Sequence, residues 1–468
     1  MISLSLKKLY DPKSIVKPEE VQGELPTAKQ AFGRVLDIAW PSIVEQLAVS
    51  LISSVDMVMV GSVGKLAINA VSISNQPKLI CLAPVMALCT AITVLVARRK
   101  GQNRQEDAHR IVKVGFILVT LVALVSHGIV WIFARQVLSF AGASVNYIDD
   151  AVVYIRIVII GQLFYSMGLA LTSAQRGAGN TRISLITNVA ANVVNVIFNY
   201  MLIGGHFGFP ALGVKGAAIA TSIGNVASFV LAYINIKRKN QFLDLEFRLK
   251  VDWKDLFSQL WFIWKSALVE QLFMRVGFFL FVKAVATLGD DEYSAHSVVT
   301  QIMNLSFAFG MGLQTANTSL VGQSLGAKRS DMALVYTRVS TTMGLMIGMA
   351  LSLFYNLFAH QLCELFVKDP VVIELCRAPL IVLCIVVIFQ IPQVITVGAL
   401  RGAGDSKFIA RLMFISSTFV RPGLTYLMAY PMGLGLIGAW LGTLIDQFFR
   451  LMISQMRYNK GAWKQIEV

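Results

Sequence analysis

The stretch Val44-Glu45-Gln46-Leu47 returns as Val269-Glu270-Gln271-Leu272, 225 residues later. At the same offset, Arg176-Gly177-Ala178-Gly179 corresponds to Arg401-Gly402-Ala403-Gly404. This single offset applies without gaps over most of each half. The chain therefore contains two copies of one unit, and the copies define the architecture.

The composition of the chain indicates a membrane protein. Hydrophobic residues make up 56% of its 468 residues, charged residues only 14%, and the mean hydropathy is +0.66. A soluble domain usually contains about 25% charged residues. Apolar segments of about 20 residues, the length that crosses a bilayer as a helix, recur along the whole sequence.

Twelve membrane spans are predicted, six in each copy. Lys and Arg concentrate in the leader, in alternate loops and in the tail, whereas the other loops contain few of either. The positive-inside rule then predicts that both termini are cytoplasmic. Because six is even, the copies have the same orientation and are related by a pseudo-twofold axis along the membrane normal.

The predicted fold is an all-α integral membrane protein of twelve transmembrane helices in two six-helix bundles. A cytoplasmic leader (1–32) precedes the first bundle (33–236). A cytoplasmic linker (237–256) leads to the second bundle (257–457), and a cytoplasmic tail (458–468) follows. We expect a cleft between the bundles. A duplicated apolar chain with polar residues at matching depths is typical of a secondary transporter.

No motif of catalysis or metal binding is found in the sequence. The five cysteines form no CxxC pair, and the five histidines form no clustered ligand set. There is no phosphate-binding Walker loop and no GxSxG. We therefore expect no catalytic residue, no metal and no cofactor, so uphill transport would use an ion gradient of H⁺ or Na⁺. The net charge of +15 is explained by loops on one side of the membrane, and no nucleic acid partner is expected.

Two acidic residues lie within the first span. A charge at mid-bilayer costs about 2.5–3.5 kcal/mol on insertion scales, so each needs a reason. Glu45 and Asp56 are eleven residues apart, which places them on one helix face. Glu45 is predicted near mid-membrane and Asp56 nearer the outer end. An ion pair or a helix-packing hydrogen bond is the alternative to a functional role for either.

Asparagines form a stripe along the fifth span. They follow one another at steps of four, three and four, which keeps them on one face. Their oxygens could bind a cation, or their amides could hydrogen-bond to neighbouring helices. The four residues are Asn188, Asn192, Asn195 and Asn199.

The seventh span carries the repeat partner of Glu45. Glu270 is predicted at the same depth, so both carboxylates would face the cleft. Arg275 could neutralise either one or contact substrate. The predicted cleft residues are Glu45, Gln46, Glu270, Gln271, Arg275 and Gln390. Arg421 and Asp446, near the middle of the last two spans, are predicted to form a buried structural ion pair.

The chain resembles the multidrug and toxic compound extrusion (MATE) family over roughly residues 33–457. The resemblance rests on Pro41, on paired glycines and on several runs of sequence. The runs are 55–61 (VDMVMVG), 174–181 (AQRGAGNT) with its twin 399–406 (ALRGAGDS), 321–327 (VGQSLGA) and 270–277 (EQLFMRVG), and the glycines are Gly213 and Gly216 with Gly435 and Gly438.

The resemblance implies antiport, in which H⁺ or Na⁺ enters while a cationic amphipath leaves by alternating access. Asp56 matches a carboxylate that many members use for cation coupling, and Asn195 matches an asparagine beside it. Asn199 stands where some members have Asp, and Gln390 where some have an acid in the tenth span. With Asn192, these matches predict a cation-coupling site in the first bundle, built on Asp56.

Two rival functions remain open. A flippase for lipids or lipid-linked oligosaccharides of the same superfamily would use Arg275, Lys283 and Arg421 to hold pyrophosphate, although Glu45, Asp56 and Glu270 disfavour it. A membrane-embedded enzyme or a channel lacks the expected motifs. We expect a monomer in the plasma (inner) membrane whose partners are cationic small molecules and membrane lipids.

Overall fold

The computed structural model describes Tyr10 and residues 15–61, 63–238 and 242–466, with backbone only at 53, 54, 57, 58, 65 and 68. Most of the predicted leader before residue 15, part of the predicted linker (239–241) and the last two residues of the tail lie outside the described residues. Within the described part, the chain is helical and contains no β-strand.

Fifteen α-helices are described, and they follow the predicted order of spans. In the first copy they are α1 Ala28–Gly61, α2 Lys65–Gly101, α3 Gln105–Ile132, α4 Ala134–Phe140, α5 Ile148–Gly177, α6 Thr181–Gly204 and α7 Val214–Ile236. In the second copy they are α8 Trp253–Ala286, α9 Asp290–Gly326, α10 Ser330–Leu357, α11 Ala359–Glu364, α12 Pro370–Gly402, α13 Ser406–Ile415, α14 Arg421–Ala429 and α15 Gly435–Asn459.

The predicted fold class is confirmed. Nine helices within the described residues are long and apolar enough to cross a membrane. The other three predicted spans are more polar or divided: α8 carries Glu270 and Arg275, α9 is rich in Ser, Thr, Asn and Gln, and a π-helical turn, Ser416–Val420, separates α13 from α14. The protein is a multi-pass membrane protein.

The chain divides into two compact units. The N unit comprises Val44–Leu268, and the C unit comprises Met1–Ile43 together with Val269–Val468. The boundaries fall inside α1, two residues after Pro41, and inside α8. The predicted domains kept both helices whole, and their boundaries stay a prediction.

The first halves of α1 and α8 pack in different units. Val35 and Ile38 on α1 belong to the apolar core of the C unit, with Val299 on α9 and Leu383 on α12. On α8, the Trp264 indole nitrogen donates to the Pro84 carbonyl at 3.0 Å, within the N unit.

The two units repeat the same close helix crossings. In the N unit, the Thr93 hydroxyl on α2 donates to the Ser173 carbonyl on α5 at 3.0 Å. In the C unit, the Thr318 hydroxyl donates to the Gly398 carbonyl on α12 at 2.9 Å. A Cβ at Gly177 or at Gly402 would overlap the carbonyl of the same threonine. The offset of 225 residues therefore holds for tertiary contacts as well as for sequence.

Candidate functional site

Asp56 lies at the centre of a polar cluster in the N unit. The Asn199 amide nitrogen donates to Asp56 Oδ1 at 2.8 Å. With its nitrogen toward Asp56, the Asn195 amide donates to Oδ1 and Oδ2 at 3.0 and 3.2 Å, while its oxygen accepts from the Thr221 backbone N–H at 3.2 Å. The opposite orientation would set the amide oxygen against the carboxylate, so hydrogen bonding decides the assignment. Both asparagines are buried, and Asp56 is half-buried.

Two further side chains belong to this cluster, and the sequence analysis missed both. Lys78 on α2 lies within electrostatic range of Asp56. Tyr154 on α5 is buried, hydrogen-bonds to the Thr221 side chain and also interacts electrostatically with Asp56. Lys78 could have been found as a lone cation in an apolar span. Tyr154 gives no such signal, because an aromatic residue in an apolar run usually packs in the core.

The asparagine stripe of α6 is divided between two carboxylates. Asn195 and Asn199 contact Asp56, whereas Asn188 donates to Glu45 Oε1 at 2.6 Å. Asn192, half-buried between them, makes no side-chain hydrogen bond to another described residue. The structure therefore brings together Asp56, Asn195 and Asn199 of the predicted coupling residues, and not Asn192.

Glu45 is a buried carboxylate with three partners inside the N unit. Besides Asn188, the Arg176 guanidinium lies 3.4 Å from Oε1 and the Ser184 hydroxyl donates to it at 3.1 Å. Arg176 belongs to the RGAG motif, and it occupies the last turn of α5. Glu45 is thus in an ion pair, the structural alternative that its sequence left open.

Glu270 repeats this pairing in the C unit. Its carboxylate is buried, and Arg401 of the second RGAG motif donates to it at 2.5 Å. Both members of this pair stand 225 residues after their counterparts, Glu45 and Arg176. The sequence analysis assigned the two arginines to loops and so missed their role, although the common offset of glutamate and arginine was a signal.

The other predicted cleft residues have no such partners. Gln46, Gln271 and Arg275 are half-buried, and Gln390 is buried. None donates or accepts a side-chain hydrogen bond within the described part of the chain. Gln390 Oε1 and Arg275 Nε are buried polar atoms without a partner there.

A charged network joins the last helices of the C unit. Arg421 Nε and Nη2 lie 2.9 Å from Asp446 Oδ2, as the predicted pair requires. Arg450, one turn beyond Asp446, also contacts this carboxylate at 2.9 Å. Ser416 on the π-helical turn donates to Asp446, and Arg450 donates to the Ser417 hydroxyl at 3.1 Å. The sequence analysis missed Arg450, which the spacing of four residues from Asp446 could have indicated.

Comparison with known proteins identifies the family. The MatE family model matches residues 41–201 and 267–427, more than half of the chain. The probable multidrug resistance protein NorM of Thermotoga maritima is 26% identical over 98% of this chain and 97% of its own. The multidrug resistance protein MdtK of Yersinia enterocolitica is 25% identical over 88% and 91%.

Solved structures show the same fold. A Vibrio cholerae MATE transporter superposes with a TM-score of 0.87, at 18% identity, over 92% of this chain and 97% of its own. A structure described as the outward-facing conformation of a multidrug resistance MATE family transporter gives a TM-score of 0.86, at 19% identity, over 95% and 100%. The resemblance predicted from the sequence is confirmed, and this chain is a member of the MatE family of membrane transporters.

Proposed function

We propose that the protein is a secondary antiporter of the inner membrane that exports cationic amphipathic compounds in exchange for a coupling cation, by alternating access. The kinship to multidrug resistance proteins supports the substrate class. The excess of Lys and Arg in alternate loops supports cytoplasmic termini. The observation that carries the proposal is the Asp56 carboxylate, held by Asn195 and Asn199 within a membrane-spanning helix.

The antiport mechanism follows from the two charge states of Asp56. An ionised carboxylate in a medium of low dielectric constant attracts a cationic compound strongly. A coupling cation that binds Asp56 cancels that attraction and favours release of the compound. One acid thus serves both ligands in turn, and no catalytic residue or cofactor is proposed.

The geometry around Asp56 favours H⁺ over Na⁺ as the coupling ion. Sodium sites in transporters use several oxygen ligands, often carbonyls. Here both asparagines turn their nitrogens toward the carboxylate, and the oxygen of Asn195 is engaged by the Thr221 N–H. Lys78 adds a positive charge within range, which would repel a second metal cation beside Asp56. A proton needs only a free lone pair of the carboxylate.

The test is dye efflux from proteoliposomes under separate pH and Na⁺ gradients. The pH gradient should drive efflux of a cationic dye, and the Na⁺ gradient alone should not. Asp56→Asn should abolish the driven efflux. Asp37→Asn is the matched control, because it removes a carboxyl from an exposed position of the same helix. Unchanged efflux in Asp56→Asn would refute the role of this acid, and efflux driven by Na⁺ would refute the choice of ion.

A further inference from the structure

The two units carry opposite charges at corresponding places. At the offset of 225, Asp56 corresponds to Phe281. The Arg421 guanidinium stands over the Phe281 ring, 6.0 Å from its centroid. The N unit therefore presents a carboxylate where the C unit presents a cation above an aromatic ring.

The charged network of the C unit is not required by the repeated fold. After the loop that follows the fifth span, the offset is 222, as Gly216 and Gly438 show. Asp446 then corresponds to Gly224, and Arg421, at the earlier offset, corresponds to Val196. In the N unit Gly224 packs on the Asn195 side chain, so the same helix pair associates there without an ion pair.

The network carries one positive charge in excess. Within the described residues, Asp446 is the only acidic side chain that contacts Arg421 or Arg450. Two guanidiniums thus share one carboxylate inside membrane-spanning helices. An uncompensated charge there is costly and usually marks a functional site with a partner of opposite charge.

Arg421 is the member that can accept that partner. Arg450 is 7% exposed and also contacts Ser416, Ser417 and Met413. Arg421 is 16% exposed and hydrogen-bonds to Asp446 alone among the described residues. It begins α14 directly after the π-helical turn, a distortion that is frequent at functional sites.

Unpaired hydroxyls flank Arg421 along the chain. Thr418 Oγ1 on the π-helical turn and Thr425 Oγ1 on α14 are buried and have no hydrogen-bond partner in the described part of the chain. Buried hydroxyls normally find a partner, and a hydroxyl can donate to an anion. We propose that Arg421 is an anion subsite of the C unit, which binds the carboxylate of amphipathic substrates that carry such a group.

This inference rests on the proposed function, because it extends the substrate class of the same transporter. Its test compares the cationic ethyl ester of a rhodamine dye with the free acid of the same dye, which adds a carboxylate. Binding to the full-length protein in lipid nanodiscs is measured by fluorescence anisotropy. Arg421→Gln should weaken binding of the free acid about tenfold or more, since a hydrogen bond to a charged group is lost. Binding of the ester should stay within about twofold, a difference below 0.5 kcal/mol by the same conversion.

Two further variants control the experiment. Arg421→Lys should restore much of the binding of the free acid. Arg457→Gln removes the same charge from another ion pair of the C unit, with Asp405 at 2.8 Å, and should leave both dyes unaffected. Asp446 keeps Arg450 and Ser416 in every variant of Arg421, so the protein is expected to fold, and thermal unfolding checks this.

The outcomes separate the inference from the proposed function. Unchanged binding of the free acid in Arg421→Gln, or an equal loss for both dyes in a folded protein, would overturn the anion subsite. If the ester is also transported under a gradient, the proposed function then survives alone. If neither dye is transported but binding of the free acid needs Arg421, the subsite survives and the antiport proposal does not.

Discussion

Replacing Arg401 with Gln is expected to destabilise the protein far more than replacing Arg176, although the two arginines occupy the same place in the two copies. Each neutralises a buried glutamate, yet their surroundings differ. Arg401 is the only hydrogen-bond partner of Glu270 within the described residues, at 2.5 Å. Glu45 retains Asn188 at 2.6 Å and Ser184 at 3.1 Å when Arg176 is removed.

The magnitudes follow from these contacts. Removing one partner of a buried ion pair typically costs about 3–5 kcal/mol, because the other charge stays buried and uncompensated. This value applies to Arg401→Gln, since the Glu270 side chain is 4% exposed. For Arg176→Gln, two hydrogen bonds of about 1.5–3 kcal/mol each still stabilise the Glu45 carboxylate. We therefore expect a cost of about 1–2 kcal/mol there.

The measurement is thermal unfolding of the purified variants in one detergent, followed by intrinsic fluorescence. Arg401→Gln should lower the apparent Tm well below that of Arg176→Gln. The double variant Glu270→Gln with Arg401→Gln should recover most of the loss, because no buried charge remains. Equal Tm values for the two single variants, or no recovery in the double variant, would refute this reasoning.

Three further predictions test other contacts. Asn199→Ala should slow proton-driven dye efflux about tenfold, since it removes a hydrogen bond to a charged carboxylate, while Asn192→Ala, one of the predicted coupling residues without a hydrogen bond, should not; equal effects would contradict this. Gly402→Ala should lower the Tm, because the added Cβ overlaps the Thr318 carbonyl, whereas Gly423→Ala meets no atom within 4 Å and is the control. Lys113→Met should speed tryptic cleavage at Arg248 and Lys250, because the Lys113 ammonium donates to the Phe247 and Leu249 carbonyls at 2.7 and 2.8 Å; an unchanged cleavage rate would show that these bonds do not hold the linker.

The sequence was sufficient for the fold, because its signals are strong and redundant. Twelve apolar runs, a one-sided charge distribution and a constant offset all indicate the same architecture. The pairing of Arg421 with Asp446 was also predictable, since two opposite charges at one depth in adjacent spans have few other partners.

The charge partners of the glutamates were harder to predict. The RGAG arginines follow the predicted spans, so they were assigned to cytoplasmic loops. In the structure, α5 continues to Gly177 and α12 to Gly402, which places Arg176 and Arg401 in the last helical turns. A long arginine side chain can extend from a helix end toward a buried acid. Hydropathy marks where the apolar run ends, and it does not mark where the helix ends.

The partners of Asp56 were only half predicted for a different reason. The asparagine stripe gave the correct helix face, but helical periodicity alone cannot divide four asparagines between two carboxylates. Asn188 and Asn199 both lie on that face, yet they contact Glu45 and Asp56 respectively. Depth along the helix and the position of the neighbouring helix decide which residue contacts which acid.

The repeated contacts also record the history of the chain. The glutamate–arginine pair and the threonine–glycine crossing occur in both units at one offset, so the simplest history places them in a single ancestral half that was later duplicated. Asp56 against Phe281, and Gly224 against Asp446, are differences that arose after that duplication. On this account, the ancestral half already had its internal scaffold, and the two descendants then acquired opposite electrical characters.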